Sequence, residues 1–335
     1  MTDAIEAHGL VKTYPGDVRA LAGISFSVEA GTVFGMLGPN GAGKSTTVKI
    51  LTTLSRADEG TARVAGFDVA RDQERVRRAI GVIGQRSGVD REDTGRENLR
   101  LQGQLFGMGG KTLEARADEL LERFGLADAA GRIVKTYSGG MQRRLDIALG
   151  LVHEPQVLFL DEPTTGLDPE VRVGLWDEIS RLSKERGITV FLTTHYLEEA
   201  DALTQQLVIV DRGTIVASGT AEALKGELKG DAVHVELAET HPDGKVAQAL
   251  ETLGDVRELQ LDGTSLRART DDGARAVPVV LQALEAHGVT VASVTVSRPS
   301  LDDVYLRYTG RSVTAAESEA AAAAEQRQDR QEARR

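Results

Sequence analysis

The sequence predicts an α/β protein. A phosphate-binding domain with a partly parallel sheet and a helical insertion comes first, and a small α+β domain of ferredoxin-like order follows. Three observations predict this. Short apolar runs alternate with stretches of helical spacing through the first part of the chain, and one of those runs leads directly into the glycine-rich "GPNGAGKST" at 38–46. After about residue 220 the order becomes strand, helix, strand, strand, helix, strand.

The elements follow from local pattern. "TVFGML" (32–37), "AIGVIG" (79–84), "QVLFL" (156–160), "ITVFLTT" (188–194) and "QLVIVD" (206–211) are too short and too uniformly apolar for surface helices, and read as buried strands. Helical spacing runs from 96 to 125, which predicts a helical insertion over about 86–150, and "VRVGLWDEISRLSKERG" reads as a helix between the third and fourth strands. In the later region "AVHVEL", "KVAQALETLG", "VRELQL", "SLRART", "RAVPVVLQALEAHG" and "VTVASVTV" alternate, with "LDG" at 261–263 as a hairpin signal. The texture separates the phosphate-binding part from a small domain over 231–310 acting in assembly or regulation, and from a flexible tail over 311–335, frayed helical or disordered. The tail is rich in Ala, Glu, Gln and Arg and lacks an apolar stripe. "SLDDVYLRYTG" puts Leu301, Val304, Leu306 and Tyr308 on one short segment, suited to docking onto a partner or to packing on its own domain.

Composition narrows the function classes. The chain has 335 residues, 41% of them hydrophobic, enough for two cores without covalent staples. It has no Cys, which excludes disulfides, cysteine-ligated zinc and thiol catalysis. A net charge of -11 argues against a nucleic-acid partner, since phosphate-backbone binding needs a surplus of Lys and Arg. The N-terminus shows no signal-peptide core, and no run approaches the roughly 18 apolar residues of a membrane span, so a soluble chain is expected.

The chemistry begins with 38–46, which fits the phosphate-loop pattern G-x-x-x-x-G-K-[ST]. Gly38, Pro39, Asn40, Gly41, Ala42 and Gly43 form the binding loop, in which Gly41 and Gly43 let backbone N–H groups converge on phosphates where a helix begins. Lys44 would reach the β and γ phosphates, and Ser45, beside Thr46, would ligate Mg²⁺. "VLFLDEP" (157–163) ends a strand in two acids, with Asp161 placed to hold Mg²⁺ and Glu162 to orient or deprotonate water. An acid pair before Pro is by itself an ordinary solvated turn; the upstream phosphate loop changes that reading. His195 and Gln85 also follow predicted strands, so all these groups would meet at one sheet edge. Tyr14 could pack or stack on an adenine ring. A second anion-binding arrangement, Ser138, Gly139 and Gly140, opens the helix of "KTYSGGMQRRLDIALG" at 135–150.

Together these residues resemble the ATP-binding subunit of an ABC transporter over about residues 4–224. The match runs in order through Tyr14, the Walker A segment 38–46, the Q-loop Gln85, the signature "YSGGM" at 137–141, the Walker B "VLFLDE" at 157–162, the D-loop "GLDP" at 166–169 and the H-loop His195. The signature departs from the commoner "LSGGQ" at Tyr137 and Met141. "YSGGMQRRLDIA", "LTTHYLEEAD" and "RPSLDDVYLRYTG" are similar to the multidrug and antibiotic exporter branch, in particular the daunorubicin-resistance-type ATPases.

The resemblance implies an ATP-hydrolysing subunit for drug or antibiotic efflux, with ATP and Mg²⁺ as ligands. Ser45, Asp161 and Gln85 would serve the metal, and Lys44, Glu162, His195 and Gln85 would take part in catalysis. It implies a second copy of the chain, whose Ser138, Gly139 and Gly140 cover the first copy's ATP, and a separate permease contacted between Gln85 and the signature. The subunit would then be cytoplasmic, peripheral on the inner face of the membrane. The alternatives fit less well. A soluble ABC ATPase of translation or DNA repair would bring a second cassette or a long coiled-coil insertion and some basic surface. A GTPase or small-molecule kinase has no use for Ser138–Gly140 and the late His195. A regulatory subunit that barely hydrolyses is disfavoured by Glu162 and His195.

Overall fold

A computed structural model of the chain describes residues 3–240, 243–250, 253 and 256–318. It falls into two units, one of residues 1–221 with 311–335 and one of residues 222–310.

The first unit opens with β1 (Asp3–Tyr14), β2 (Val18–Glu29), β3 (Val33–Leu37), α1 (Lys44–Leu51), β4 (Glu59–Val64), β5 (Phe67–Asp68), α2 (Gln73–Ala79) and β6 (Ile80–Ile83). The helices α3 (Gly95–Leu105), α4 (Gly110–Arg123) and α5 (Gly139–Leu151) occupy the predicted insertion. Beyond them come β7 (Val157–Asp161), α6 (Pro169–Arg186), β8 (Thr189–Thr194), α7 (Leu197–Leu203), β9 (Gln206–Asp211) and β10 (Thr214–Gly219). The central sheet has the order β10-β9-β3-β8-β7-β6, parallel throughout except for β10 on β9, and a separate antiparallel sheet runs β2-β1-β4-β5.

The uniformly apolar runs become central strands because both faces of that sheet are buried. Val33, Leu158, Leu160, Val190 and Leu192 point into a core shared with α3 to α6. Their alternating neighbours Phe34, Met36, Val157, Phe159 and Phe191 point the other way, into a core with α1 and the antiparallel sheet. There Phe26, Phe34 and Phe191 stack with ring centroids 5.5 to 5.9 Å apart. Each such side chain, fully buried, contributes roughly 1.5–3 kcal/mol. Two cores thus clamp one sheet, and its C-terminal edge is held rigidly.

Among the described residues, no helix is long and apolar enough to cross a membrane. The expected tail lies outside the described residues from 319 onward. The part before that, 313–318, is helical, with Val313 and Ala316 buried and Arg311 bonded to both carboxylate oxygens of Asp211 at 2.9 and 3.1 Å. Small apolar residues and one anchoring guanidinium accompany this helix at the start of the segment whose composition suggested a frayed helical or disordered tail.

The second unit begins with most of α8 (Ala221–Gly226) and continues with β11 (Asp231–Leu237), α9 (Asp243–Leu250), β12 (Arg257–Asp262), β13 (Ser265–Thr270), α10 (Gly273–Ala286), β14 (Val291–Ser297) and α11 (Leu301–Thr309). The antiparallel order β12-β13-β11-β14 is the predicted ferredoxin-like arrangement, and Asp262 pairs with Ser265 across the hairpin at Gly263. Val246, Leu250, Val280 and Leu284 of α9 and α10 pack on Val233, Val235 and Leu266. On the alternate positions of β13, Arg267 and Arg269 pair with Asp302 and Asp303 at 2.7 and 3.6 Å, fastening α11 to this sheet. Leu301 and Val304 are buried, so they are not the spare docking residues that the sequence allowed; Tyr308 is 43% exposed and donates its hydroxyl to Glu227.

If the second unit carries its own stability, Leu284→Ala, which empties a fully buried position, will lower that unit's stability by about 2–5 kcal/mol and leave MgATP affinity unchanged. Calorimetry with nucleotide titration checks this; a matching loss of affinity would contradict it.

Candidate nucleotide site

Four adjacent parallel strands deliver the predicted groups. β3 runs into the phosphate loop, β8 into His195, β7 into Asp161 and Glu162, and β6 toward Gln85. This is the carboxyl edge where open parallel sheets bind ligands. The loop closes tightly on α1: Gly43 caps the helix at φ 110°, and a Cβ there would lie 2.6 Å from the Ala20 carbonyl oxygen. Only glycine fits both constraints.

Lys44 is 4% exposed, and its Nζ donates to the Gly38 and Pro39 carbonyls at 2.7 and 3.2 Å while standing 3.2 Å from Glu162 Oε1. Burial pulls its ammonium below the ordinary value, and the Glu162 and Asp161 carboxylates offset part of that. Ser45 Oγ donates to Asp161 Oδ1 at 3.2 Å, and Thr193 Oγ1 donates to the same oxygen at 2.5 Å. Glu162 adopts φ 50°, unusual for a non-glycine residue, and its N–H is held by both the carbonyl and the hydroxyl of Thr193 at 3.1 Å. Burial opposes ionisation of Glu162, yet His195 and Lys44 more than offset it, so its carboxyl is held below the usual range. His195 Nδ1 lies 3.5 Å from Glu162 Oε1, a charge contact longer than a good hydrogen bond, and has no bonding partner. Tyr14, at the end of β1, lies with its hydroxyl 3.5 Å from Thr46 Oγ1.

Two predicted parts stand outside this cluster. Gln85 is exposed on the loop after β6, with no hydrogen bond to Ser45 or Asp161 among the described residues. Ser138 caps α5, its Oγ accepting from Met141 N at 3.3 Å, and Ser138 and Gly139 face solvent. Gly140 is buried, and a Cβ there would lie 2.6 Å from Val171 Cγ1, so α5 and α6 meet closely at that point. Tyr137 takes the place of the commoner Leu by burying its ring and donating to the Ala129 carbonyl at 2.7 Å.

The family pattern described as "ABC transporter" matches residues 21–165, and that described as "ATP-binding protein DrrA1-3-like, C-terminal domain" matches 219–309. The chain is 47% identical to the daunorubicin resistance ATP-binding protein DrrA3 of Streptomyces coeruleorubidus, covering 92% of this chain and 96% of that one. The chain belongs to the ABC transporter ATP-binding proteins of the DrrA type. It is 46% identical to the daunorubicin/doxorubicin resistance protein DrrA of Streptomyces peucetius, over 92% of this chain and 93% of that one. Among solved structures, a dimeric post-hydrolysis state of the ATP-binding cassette MJ0796 bound to ADP and Pi aligns at a TM-score of 0.59 and 26% identity, over 64% of this chain and 98% of that one. The ABC chain is accordingly an ATPase.

Sequence reasoning missed four residues that hold this ABC site together. Thr193 ties Asp161 and Glu162 to β8. Glu199, fully buried with its carboxyl pushed up by burial, accepts from Thr164 and Trp176 at 2.9 and 3.1 Å behind the Walker B turn. Arg143 and Asp146, both buried, sit one turn apart on α5. The available signal was the position of two charges on the face of a helix otherwise rich in Leu, Ile and Ala.

A pH test follows from Glu162. Its lowered folded value means that the ionised carboxylate stabilises the ligand-free fold above the ordinary Glu range, and that this contribution is lost as pH falls through the lowered value. Lys44→Ala removes the ammonium that favours the carboxylate and leaves most of the burial, so acid loss of stability should begin at higher pH. Circular dichroism from about pH 6 to about pH 3 checks this, and an unchanged acid limb would contradict the assignment.

Proposed function

We propose that the chain hydrolyses MgATP in composite sites formed by two copies and so drives a separate membrane permease that exports a drug or antibiotic. The observation that carries this reading is the split site. One chain clusters Lys44, Ser45, Asp161, Glu162 and His195, while its own Ser138 and Gly139 face solvent. A helix N-terminus left open beside two glycines fits terminal phosphate presented by another copy.

The residues present suit Mg²⁺. The Ser45 hydroxyl and the Asp161 carboxylate are hard oxygen donors 3.2 Å apart, and no cluster of three acids or histidines competes among the described residues. Ser45 and Asp161 would hold the ion directly, and Gln85, exposed on its loop, would serve it from further out. Mg²⁺ held there would supply neutralisation of the phosphate charge.

The chain's own groups then divide the work. Lys44 exchanges its Gly38 and Pro39 carbonyls for phosphate oxygens, and the backbone of 38–46 cradles the phosphates while Tyr14 stacks on the adenine. Glu162, held ionised, aligns the attacking water and accepts its proton. His195, with an unsatisfied Nδ1, steadies Glu162 and faces the γ-phosphate. Hydrolysis removes the charge that joins the copies, and opening follows.

For the permease, a groove of roughly 340 Å³ between the β6 end and α3 is lined by Arg77, Val82, Gln102, Phe106 and His153, with Leu54 70% exposed beside it. Apolar residues beside polar ones suit a protruding helix of a membrane partner. The drug class rests on the names of the DrrA relatives; the permease lines the transport path, so nothing in this chain selects the compound.

Glu162→Gln should bind MgATP with near wild-type affinity, lose turnover by about 100-fold or more, and run as an ATP-dependent dimer on size exclusion. Full turnover by this variant would remove Glu162 from its role.

A further inference from the structure

The signature helix α5 is joined to the hydrolytic acid by one buried side chain. Arg143 is 8% exposed and spends its guanidinium almost wholly on backbone oxygens. Nε donates to Pro163 O at 2.7 Å, Nη1 to Gly84 O at 2.9 Å, and Nη2 reaches Asp161 O and Glu162 O at 3.5 and 3.4 Å. One turn later, Asp146 accepts from the Ser87 hydroxyl and the Gly88 N–H at 3.1 and 2.9 Å. The loop carrying Gln85 is therefore tied to α5 at both ends, and the tie nearer β6 also grips the turn that holds Glu162.

That turn needs holding. Glu162 at φ 50° is in a conformation that is costly for a non-glycine residue and persists only where its surroundings over-determine it. Thr193 fixes its N–H from the β8 side. The carbonyls of 161–163 on the other side have Arg143 as their shared cation. A charge-assisted donor is roughly twice as strong as a neutral one, and a planar fork can serve several carbonyls at once where an ammonium cannot.

We propose that Arg143 is a positioning residue for hydrolysis, holding Glu162 in its productive backbone conformation and linking that turn to the Gln85 loop. Asp146, which lines the groove beside that loop, completes the link. The same helix carries Ser138 at its cap. The inference rests on the reading of Glu162 as the group that handles water.

The test uses the full-length chain, with steady-state turnover and MgATP affinity measured for Arg143→Gln, Arg143→Lys, Glu162→Gln and the double variant Arg143→Gln/Glu162→Gln. Arg143→Gln should lower kcat by about tenfold or more, with MgATP Kd within about twofold of wild type, and Arg143→Lys should recover part of it. The double variant should turn over no more slowly than Glu162→Gln alone, because Arg143 acts through Glu162. Unchanged kcat in Arg143→Gln, or a loss of affinity parallel to the loss of kcat, overturns the proposal. So does a double variant slower than Glu162→Gln by the full Arg143→Gln factor. If Arg143→Gln does not fold, Arg143→Lys decides alone: reduced kcat at unchanged Kd supports the proposal, and wild-type kcat overturns it. Wild-type turnover in Glu162→Gln would instead overturn the underlying reading of Glu162.

Discussion

The buried contact between Lys44 and Glu162 organises the nucleotide edge of this ABC ATPase. The two residues follow β3 and β7, strands that are not neighbours, and meet at 3.2 Å only because β8 lies between them in parallel register. Removing one partner of such a pair leaves an uncompensated buried charge, typically worth 3–5 kcal/mol or so. Any slip of β3 or β7 against β8 would separate the pair and also break the Ser45–Asp161 and Thr193–Asp161 bonds. The two cores on either face of the sheet exist, in this sense, to hold that register.

Lys44 has three oxygen partners, two carbonyls and Glu162. Phosphate is a stronger acceptor than either carbonyl, so the role proposed for Lys44 amounts to an exchange of partners at a prebuilt ammonium. Burial opposes ionisation of Glu162, and its neighbours His195 and Lys44 hold the carboxyl below the usual range all the same. In the proposed mechanism this carboxylate is the group that meets the attacking water.

Much of this was legible in the sequence, for physical reasons. Strands buried on both faces are uniformly apolar, so β3, β6, β7, β8 and β9 stood out, and the phosphate loop is recognisable because few residue types tolerate its backbone. β1 and β2 did not stand out. They are long and half-buried, and their pairing shifts register around Gly9 and again near Thr13, so a strict alternation never runs far. Lys44, Asp161, Glu162 and His195 converge as spacing and strand ends suggested. Gln85 does not join them in the single chain, because its loop is tied to α5 and exposed. Arg143 and Asp146 escaped notice since charges on a helix ordinarily face water, and only the packing of α5 against β6 and the Walker B turn reveals that these two do not. α11 resisted for the converse reason: periodicity marks an apolar face without saying what covers it, and here Arg267 and Arg269 fix it to its own sheet.

The central claim is that each hydrolytic site draws its Walker loop from one copy and its signature from the other. The direct measurement combines a Lys44→Ala chain with a Gly139→Asp chain, both carrying Glu162→Gln to stop turnover, and follows nucleotide retained by the dimer through gel filtration. Sites shared between copies predict retention that appears only on mixing, since one site of the mixed dimer then carries neither lesion. Equal absence of retained nucleotide in both parents and in the mixture would contradict the account.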